Sequence, residues 1–316
     1  MQTSQNPIPS GNGPHTTATQ ALGARRLDGR VVIVTGGYAG IGLETTRVLS
    51  SAGATVVVPA RSPDKARVAL AGVPRVELEA LDLFDPPSID AFAARFLAAG
   101  RPLHLLVNNA GIMAAPLVRD SRGFDSQFAT NHLGHFQLTA RLWPALRKAG
   151  GARVVSLSSR GHARAPMDFD DPRFERRPYE KWAAYGQAKT ANVLFAVALD
   201  AFGASSGVRA FAVHPGAIIT ELGRSMSEDE MAAAVENATQ LMGGMKTIPE
   251  GAATSVWCAT SEQLDGKGGV YCEDADIAEL APGDAPMARG VRPYAVDPEL
   301  AARLWAKSEE WTGVAF

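Results

Sequence analysis

The stretch Val31-Val32-Ile33-Val34-Thr35-Gly36-Gly37-Tyr38-Ala39-Gly40-Ile41-Gly42 joins an apolar run to a glycine-rich turn. The unbroken run of β-branched residues predicts a strand that is buried on both faces of a parallel sheet. The amphipathic pattern that follows it predicts a helix. Glycines between a strand and a helix let the backbone approach a pyrophosphate, which binds at the helix N-terminus. The stretch therefore predicts dinucleotide binding, and a purely structural glycine turn is the weaker alternative.

Strand-like and helix-like segments alternate along the rest of the chain from Arg30 onward. Six further strands are predicted at 55–59, 76–81, 103–107, 153–157, 208–213 and 269–272. Strands separated by helices predict right-handed crossovers and an α/β fold. We expect a Rossmann-like, doubly wound parallel sheet of about seven strands, in a single domain over residues 25–316.

Two segments interrupt this alternation, and both leave the carboxyl ends of strands, where ligands bind in open α/β sheets. Residues 161–181 are loop-like and charged, and we expect an active-site loop insertion. Residues 221–247 are helical in pattern and contain methionines. We expect the second segment to be a lid over a pocket, and a plain structural helical excursion is the alternative.

The composition is that of an ordinary globular chain of 316 residues, with 46% hydrophobic residues and a formal net charge of −2. A charge near zero gives no general basic field, so we expect no nucleic-acid partner. No stretch reaches the about 18 apolar residues of a membrane span, so we expect no membrane partner. Cys258 and Cys272 have no metal-like spacing. We expect free thiols in a reducing, cytoplasmic compartment and no metal site.

The N-terminal residues 1–24 are rich in Thr, Gln, Asn, Gly and Pro, and the first lysine or arginine is Arg25. They contain no apolar segment of the kind found in secretory signals. This composition predicts a disordered tail. A transit peptide is a weaker alternative, because arginines occur only at Arg25 and Arg26.

Tyr185 and Lys189 are four residues apart, which places them on the same face of a predicted helix. A positive charge about 4 Å from a phenol, at an effective dielectric of about 20, favours the phenolate by about 4 kcal/mol. That energy would bring the pKa of a tyrosine from about 10 close to 7. Such pairs also occur by chance, so the prediction depends on the rest of the chain.

The glycine spacing Gly-x-x-x-Gly-x-Gly after Thr35 resembles that of the short-chain dehydrogenase/reductase family, over residues 27–276. Further landmarks of the family follow in order: Asn108-Asn109-Ala110-Gly111, Asn131, Ser159, Tyr185 with Lys189, and His214-Pro215-Gly216 running to Thr220. Ser159 and Tyr185 are separated by 26 residues, a long gap. That gap resembles the subgroup of retinol dehydrogenases and WW-domain-containing oxidoreductases.

The resemblance implies four catalytic roles. Tyr185 would be the general acid in reduction and the base in oxidation. Lys189 would lower the pKa of Tyr185 and reach the nicotinamide ribose hydroxyls. Ser159 would donate a hydrogen bond to the substrate oxygen, with Ser158 as the main alternative, and Asn131 would hold a relay water or be a buried helix amide.

The expected cofactor is NADP(H), because Arg61 ends the second strand, where an acidic residue would instead select NAD. NAD(H) is the alternative if Arg61 is only a solvated strand-end residue. By the resemblance, Asp82 would contact the adenine and Thr220 would contact the nicotinamide carboxamide. The alternative is that each is an ordinary loop residue. The role of Tyr38 is open. The expected cofactor-binding residues are Gly36, Tyr38, Gly40, Ile41, Gly42, Arg61, Asp82, Leu83, Asn109, Ala110, Gly111, Tyr185, Lys189, Pro215, Gly216, Ile218 and Thr220.

The resulting functional prediction is an NADP(H)-dependent carbonyl reductase or secondary-alcohol dehydrogenase with a small-molecule substrate. Leu222, Met226, Met231, Leu241, Met242 and Met245 in 221–247 favour an apolar substrate of moderate size. A catalytically idle NADP(H)-sensing or scaffold protein is the alternative. The glycine spacing disfavours a sugar-nucleotide epimerase, and the sequence leaves monomer and homo-oligomer equally open.

Overall fold

The computed structural model describes residues 3–242, 244–281, 283 and 288–316, without the side chains of Leu241 and Met242, whose expected substrate contacts lie outside this description. The strands are β1 Val31–Val34, β2 Thr55–Ala60, β3 Val76–Ala80, β4 Leu105–Asn108, β5 Ala152–Leu157, β6 Val208–His214, β7 Val270–Glu273 and β8 Asp276–Ile277. The helices are α1 Ala18–Leu22, α2 Gly40–Ser51, α3 Pro63–Ala69, α4 Pro86–Ala98, α5 Ser126–Phe128, α6 Gly134–Lys148, α7 Lys181–Gly203, α8 Glu228–Met242, α9 Ile248–Thr260 and α10 Pro298–Thr312.

The strands form one sheet in the order β3-β2-β1-β4-β5-β6-β7-β8. All neighbouring pairs from β3 to β7 are parallel, which confirms the predicted doubly wound fold. The chain runs from β1 outward to β3 and then returns to β4 on the other side of β1. This reversal of strand order opens a crevice at the carboxyl ends of β1 and β4, where a ligand can bind.

The sheet has one strand more than the sequence predicted. β8 is antiparallel to β7 and contains only two residues. The turn between them consists of Asp274 and Ala275, with φ angles of 52° and 56°. Two successive positive φ values are typical of a tight hairpin turn. A two-residue strand carries no periodic signal, so the sequence pattern could not predict it.

The core lies on both faces of the sheet. Ile33 of β1 packs in one hydrophobic cluster, whereas Val32 and Val34 pack in the other. All three side chains are fully buried. The continuous apolar pattern of β1 therefore reflects helices on both faces.

The N-terminal segment differs from the predicted disordered tail. The Gln5 amide donates to the carbonyl oxygens of Tyr271 and Ala278 and accepts from the Tyr271 N–H, so it bonds to the β7–β8 edge. Helix α1 begins with a capping box formed by Thr17 and Gln20, and it packs against α9. A few specific hydrogen bonds and one short helix order this segment. Composition, which averages over the segment, does not register them.

None of the helices in the described part of the chain is long and apolar enough to cross a membrane.

Candidate active site

The glycine-rich turn after β1 packs against the segment that follows β4. A Cβ atom at Gly42 would lie 2.4 Å from Nδ2 of Asn109, and one at Gly36 would lie 3.1 Å from Cα of Ala110. The N-cap of α2 is Ala39, which has no side chain to bond the first N–H groups of the helix. Those N–H groups are therefore available to an anion in the crevice.

A buried hydrogen-bond chain connects this turn to the helix that carries Asn131. Oγ1 of Thr35 accepts the N–H groups of Asn109 and Ala110, both at 2.9 Å, and lies 2.9 Å from Nε2 of His135. Nδ1 of His135 lies 3.0 Å from the Asn131 carbonyl oxygen. Because a carbonyl only accepts, we assign the imidazole proton to Nδ1, and Thr35 donates to Nε2. His135 was not among the predicted site residues, although its position four residues after Asn131 was a usable signal.

The side chain of Asn131 is bonded to the segment after β4. Its Nδ2 donates to the carbonyl oxygen of Ile112, and its Oδ1 accepts the Ile112 N–H, both at 2.9 Å. The residue is fully buried in the π-helical turn Ala129–Leu133. This geometry favours the buried-amide alternative for the side chain. It also holds Asn131 beside Gly111. A Cβ atom at Gly111 would lie 3.1 Å from Oδ1 of Asn131 and 3.7 Å from Nζ of Lys189.

The structure separates the two candidate serines. Oγ of Ser158 donates to the backbone carbonyl of Lys189 at 2.7 Å and is buried, so it serves to hold α7. Ser159 follows the end of β5, and its Oγ accepts the Gly161 N–H at 3.0 Å. The Ser159 hydroxyl lies close enough to the Tyr185 phenol to lower its pKa, although burial acts more strongly in the opposite direction. Ser159 is thus the serine that faces Tyr185.

Tyr185 and Lys189 lie side by side on α7, and both are buried. Nζ of Lys189 donates to the carbonyl oxygen of Leu157 at 2.9 Å and lies 5.6 Å from the Tyr185 ring centroid. Burial raises the pKa of Tyr185 to about 12 and lowers the pKa of Lys189 to about 8. The expected lowering of the tyrosine pKa is therefore not found, because desolvation outweighs the lowering effects of Ser159 and Arg164. Near pH 7 the phenol keeps its proton, as a general acid requires.

His162 anchors the start of the 161–181 loop. Its Nδ1 donates to the carbonyl oxygen of Ser159 at 2.7 Å, and its Nε2 accepts the N–H of Arg292 at 3.2 Å. Farther along the loop, Asp171 accepts three backbone N–H groups, at residues 175–177. The loop that follows Ser159 is therefore held by specific hydrogen bonds to the C-terminal segment and within itself.

A single cleft of about 790 Å³ brings together every predicted cofactor residue, with Ser159, Tyr185 and Lys189. Asn131 does not line it and lies behind Gly111. Arg61 is exposed at the end of β2, and its guanidinium has no hydrogen bond or ion pair with any residue in the described ranges. Tyr38 lines the cleft and packs against the core.

Two of the residues expected to bind the cofactor, Asp82 and Thr220, also have structural roles, as the ordinary-loop-residue alternative for each of them predicted. Oδ1 of Asp82 accepts the N–H of Phe84 at 2.9 Å, so it shapes its own turn. Oγ1 of Thr220 accepts the N–H of Leu222 at 3.3 Å, as the N-cap of a short helical turn. A Cβ atom at Gly40 would lie 3.3 Å from Cγ2 of Thr220. Thr220 therefore packs against the glycine-rich turn after β1.

The 221–247 segment contains α8 and is helical, as predicted. The carboxylate of Glu230 on α8 contacts Nζ of Lys181 at 2.6 Å and Nε1 of Trp182 at 3.1 Å. Lys181 and Trp182 form the first turn of α7, which also carries Tyr185. The segment is thus attached to α7, the helix that carries Tyr185 and Lys189.

Acid is expected to destabilise the fold because most histidines are buried in the neutral form. Burial lowers the pKa values of five histidines from 6.5: His104, His132 (about 3), His135 (about 4), His162 (about 4) and His214. Below pH 6.5 the unfolded chain binds more protons, so stability falls as the pH decreases. Asp125, whose pKa burial raises to about 6, offsets part of this loss.

We expect the free energy of unfolding to fall by about 3 kcal/mol per pH unit near pH 5.5. Urea unfolding between pH 7.5 and 5 measures this slope. Replacement of the exposed His15 with asparagine should leave the slope unchanged. A flat profile between pH 7 and 5 would contradict the assignment of neutral, buried histidines.

Comparisons with known proteins relate the whole chain to one family. A family model described as short chain dehydrogenase matches residues 30–231. A relative from Streptomyces lividans named "Probable oxidoreductase" is 45% identical over 291 residues, covering 88% of this chain and 96% of the relative. Retinol dehydrogenase 12 from Homo sapiens is 37% identical over 295 residues, covering 92% of this chain and 88% of that protein.

Two solved structures extend the comparison to the fold. A crystal structure of an uncharacterized protein from Mycobacterium paratuberculosis is 32% identical, with a TM-score of 0.73, covering 94% of this chain and 98% of its own. A structure from Beutenbergia cavernae, described as an NAD(P)-dependent gluconate 5-dehydrogenase, is 26% identical, with a TM-score of 0.63. It contains bound NADP, and the match covers 80% of this chain and 97% of that one.

Proposed function

This chain belongs to the short-chain dehydrogenase family and is an oxidoreductase, and from that premise we propose that it reduces a carbonyl, or oxidises a secondary alcohol, with NADP(H). The observation that carries the proposal is the position of Ser159 beside Tyr185, in the same cleft as the glycine-rich turn after β1. When bound, NADP(H) supplies or accepts the hydride.

The cleft fits a dinucleotide phosphate. The first N–H groups of α2 have no side-chain cap, and the glycines of the turn leave the backbone open at that point. Lys189 would hold the nicotinamide ribose hydroxyls. Thr220, Pro215, Gly216 and Ile218 would hold the nicotinamide end, since these residues line the same cleft beyond the turn.

In the reducing direction Tyr185 gives its phenolic proton to the substrate oxygen, while Ser159 donates a second hydrogen bond to that oxygen. Both groups act where negative charge develops as the carbonyl is reduced. The raised pKa of Tyr185 keeps the phenol protonated near neutral pH. Lys189 is largely charged at pH 7, and its ammonium favours the phenolate that proton transfer leaves behind.

The substrate would be apolar over part of its length. Leu222, Met226, Met231 and Met245 line the same cleft as Ser159 and Tyr185. Methionine side chains adapt to irregular ligands. Because Glu230 connects α8 to the first turn of α7, the segment acts as a lid whose position depends on that contact.

Arg61 is the residue expected to select NADP(H). Its guanidinium lines the cleft and is free to meet a 2′-phosphate with a planar pair of donors. Arg61→Asp should lower kcat/KM with NADPH by about 10²-fold and reverse the preference toward NADH, because it replaces an attraction with a repulsion. Steady-state kinetics with both cofactors measure the change.

Arg67→Asp is the matched control for Arg61→Asp. Arg67 is exposed and nearby in sequence, is paired with Asp64 and does not line the cleft. The control should keep the wild-type cofactor preference. An unchanged NADP(H) preference in Arg61→Asp would show that the cofactor is selected elsewhere.

The general test is consumption of NADPH or NADH at 340 nm with a panel of aldehydes and ketones. Turnover that depends on Tyr185 supports the oxidoreductase proposal. Tight binding of NADP(H) without turnover of any panel member would instead support the idle sensing or scaffold protein.

A further inference from the structure

Behind Ser159 lies a cluster of buried polar atoms that the proposed reaction does not use. Within the described residues, five such atoms have no hydrogen-bond partner: Nε and Nη1 of Arg160, Nε2 of His214, the hydroxyl of Tyr271 and Oε2 of Glu273. These residues belong to or directly follow β5, β6 and β7. Leaving a buried polar group without a partner is unfavourable by about 1–3 kcal/mol. A cluster of five is therefore more than incidental.

Four of the five atoms are hydrogen-bond donors. Nδ1 of His214 accepts the N–H groups of Arg160 at 3.3 Å and Gly216 at 3.4 Å. We therefore assign the imidazole proton to Nε2, which makes that atom a donor. The guanidinium and the phenol of Tyr271 are donors as well. These four donors are shielded from solvent. Nη2 of Arg160 is not among the shielded atoms, so it is the donor through which the cluster can meet an acceptor in the cleft.

Arg160 is the charged member of the cluster, and it immediately follows Ser159. Its side chain is 19% exposed and lines the cleft, yet its guanidinium makes no hydrogen bond with any described residue. The nearest carboxylate oxygen, Oε2 of Glu273, lies 3.9 Å from Nη2, which is beyond hydrogen-bond distance. Oε1 of Glu273 already accepts the Gly290 N–H at 2.8 Å. The carboxylate therefore compensates the guanidinium only in part.

Most charged residues of the cleft outside the segments assigned to the cofactor are arginines. Apart from the segments assigned to the cofactor and Lys189, the charged residues that line the described cleft are Arg160, Arg164, Arg224, Arg292 and Glu221. Arg164 lies over the Trp182 ring at 4.8 Å, and Arg292 donates to the carbonyl oxygens of Ala281 and Gly283. Arg160 is thus the guanidinium that combines proximity to Ser159 with unpartnered donors.

We propose that the guanidinium of Arg160, through Nη2, binds a carboxylate of the substrate, so that the enzyme acts on oxo acids or the corresponding hydroxy acids. The inference rests on the proposed function, because it places the carboxylate a short distance from the carbonyl held by Ser159 and Tyr185. The methionine-lined side of the cleft would take the apolar part of the same molecule. The substrate class is then an amphipathic oxo acid.

The test compares ω-oxo carboxylates of graded chain length with their methyl esters, which carry the same aldehyde without the charge. For at least one length, the wild-type enzyme should prefer the acid by about 10- to 100-fold in kcat/KM, mainly through KM, as a charge-assisted hydrogen bond provides. Arg160→Met should remove this preference and leave kcat/KM for the esters within about threefold. Arg160→Lys should retain part of it.

Arg164→Met is the matched control, because Arg164 lines the same cleft but lies over the Trp182 ring. This variant should keep the wild-type acid-to-ester ratio. The inference is overturned if the wild-type enzyme prefers no acid at any length, or if Arg160→Met lowers acids and esters equally. Should Arg160→Met fail to fold, the wild-type ratio and Arg160→Lys still decide. Turnover of esters without acid preference contradicts this inference alone, whereas no turnover of either series contradicts the proposed function as well.

Discussion

Replacement of Tyr185 with phenylalanine is expected to lower kcat by about 10²- to 10⁴-fold, because it removes the proton donor. The fold should survive, since the aromatic ring keeps its contact with Gly161 and its edge contact with Trp182. Oγ of Ser159 should still accept the Gly161 N–H in the variant. NADP(H) affinity should stay unchanged because Lys189 is untouched. Steady-state kinetics and a fluorescence titration with NADPH measure the two quantities.

Tyr179→Phe is the matched control, because its hydroxyl donates to the Ala115 carbonyl oxygen and does not line the cleft. The control should lose some stability and little kcat. Full activity in Tyr185→Phe would overturn the assignment of Tyr185 as general acid. Equal losses in both variants would point to a structural effect.

The fold was largely predictable because its strands are buried on both faces. The apolar run from Val31 to Val34 is typical of a central parallel strand, and it marks the glycine-rich turn that follows it. The exceptions were the two-residue strand β8 and the packed N-terminal segment. Both depend on hydrogen bonds between distant residues, such as those of Gln5 with Tyr271, which no local pattern contains.

The site was predictable where chemistry follows from spacing and less so where it depends on burial. Tyr185 and Lys189 lie on one helix, as their four-residue spacing predicted, and Ser159 follows the end of β5. Their catalytic roles stay predictions. The pKa of Tyr185 has the opposite direction to the prediction, because the sequence gives the neighbouring charge but not the desolvation. The chain from Thr35 through His135 to Asn131 also arises only when two distant segments pack together.

Lys189→Met is expected to abolish turnover and at the same time to stabilise the protein. Turnover is lost because the ammonium no longer favours the phenolate of Tyr185, and NADP(H) binding should weaken because the proposed ribose contact is gone. Stability should rise because burial lowers the pKa of Lys189 from 10.5 to about 8, so the charged form is unfavourable in the folded state. That difference corresponds to about 3 kcal/mol at pH 7.

The gain should depend on pH in a definite direction. Between pH 8 and 10.5 the unfolded wild-type chain holds the proton that the folded lysine has lost, so wild-type stability rises with pH. The advantage of Lys189→Met should therefore shrink toward pH 10.5. The carbonyl oxygen of Leu157 stays satisfied in the variant, because Nδ2 of Asn192 also donates to it at 2.8 Å.

Urea unfolding at pH 7 and pH 10, together with titration of NADPH, separates these effects. Lys181→Met is the matched control: Lys181 lies on the same helix but is 33% exposed and paired with Glu230, so its loss should bring no stabilisation. If Lys189→Met lost turnover but bound NADP(H) with wild-type affinity, the ribose contact would be wrong. If its stability at pH 7 did not exceed that of the wild type, a desolvated ammonium at Lys189 would be wrong instead. The two outcomes are independent, because the first concerns the cofactor and the second concerns the protein without it.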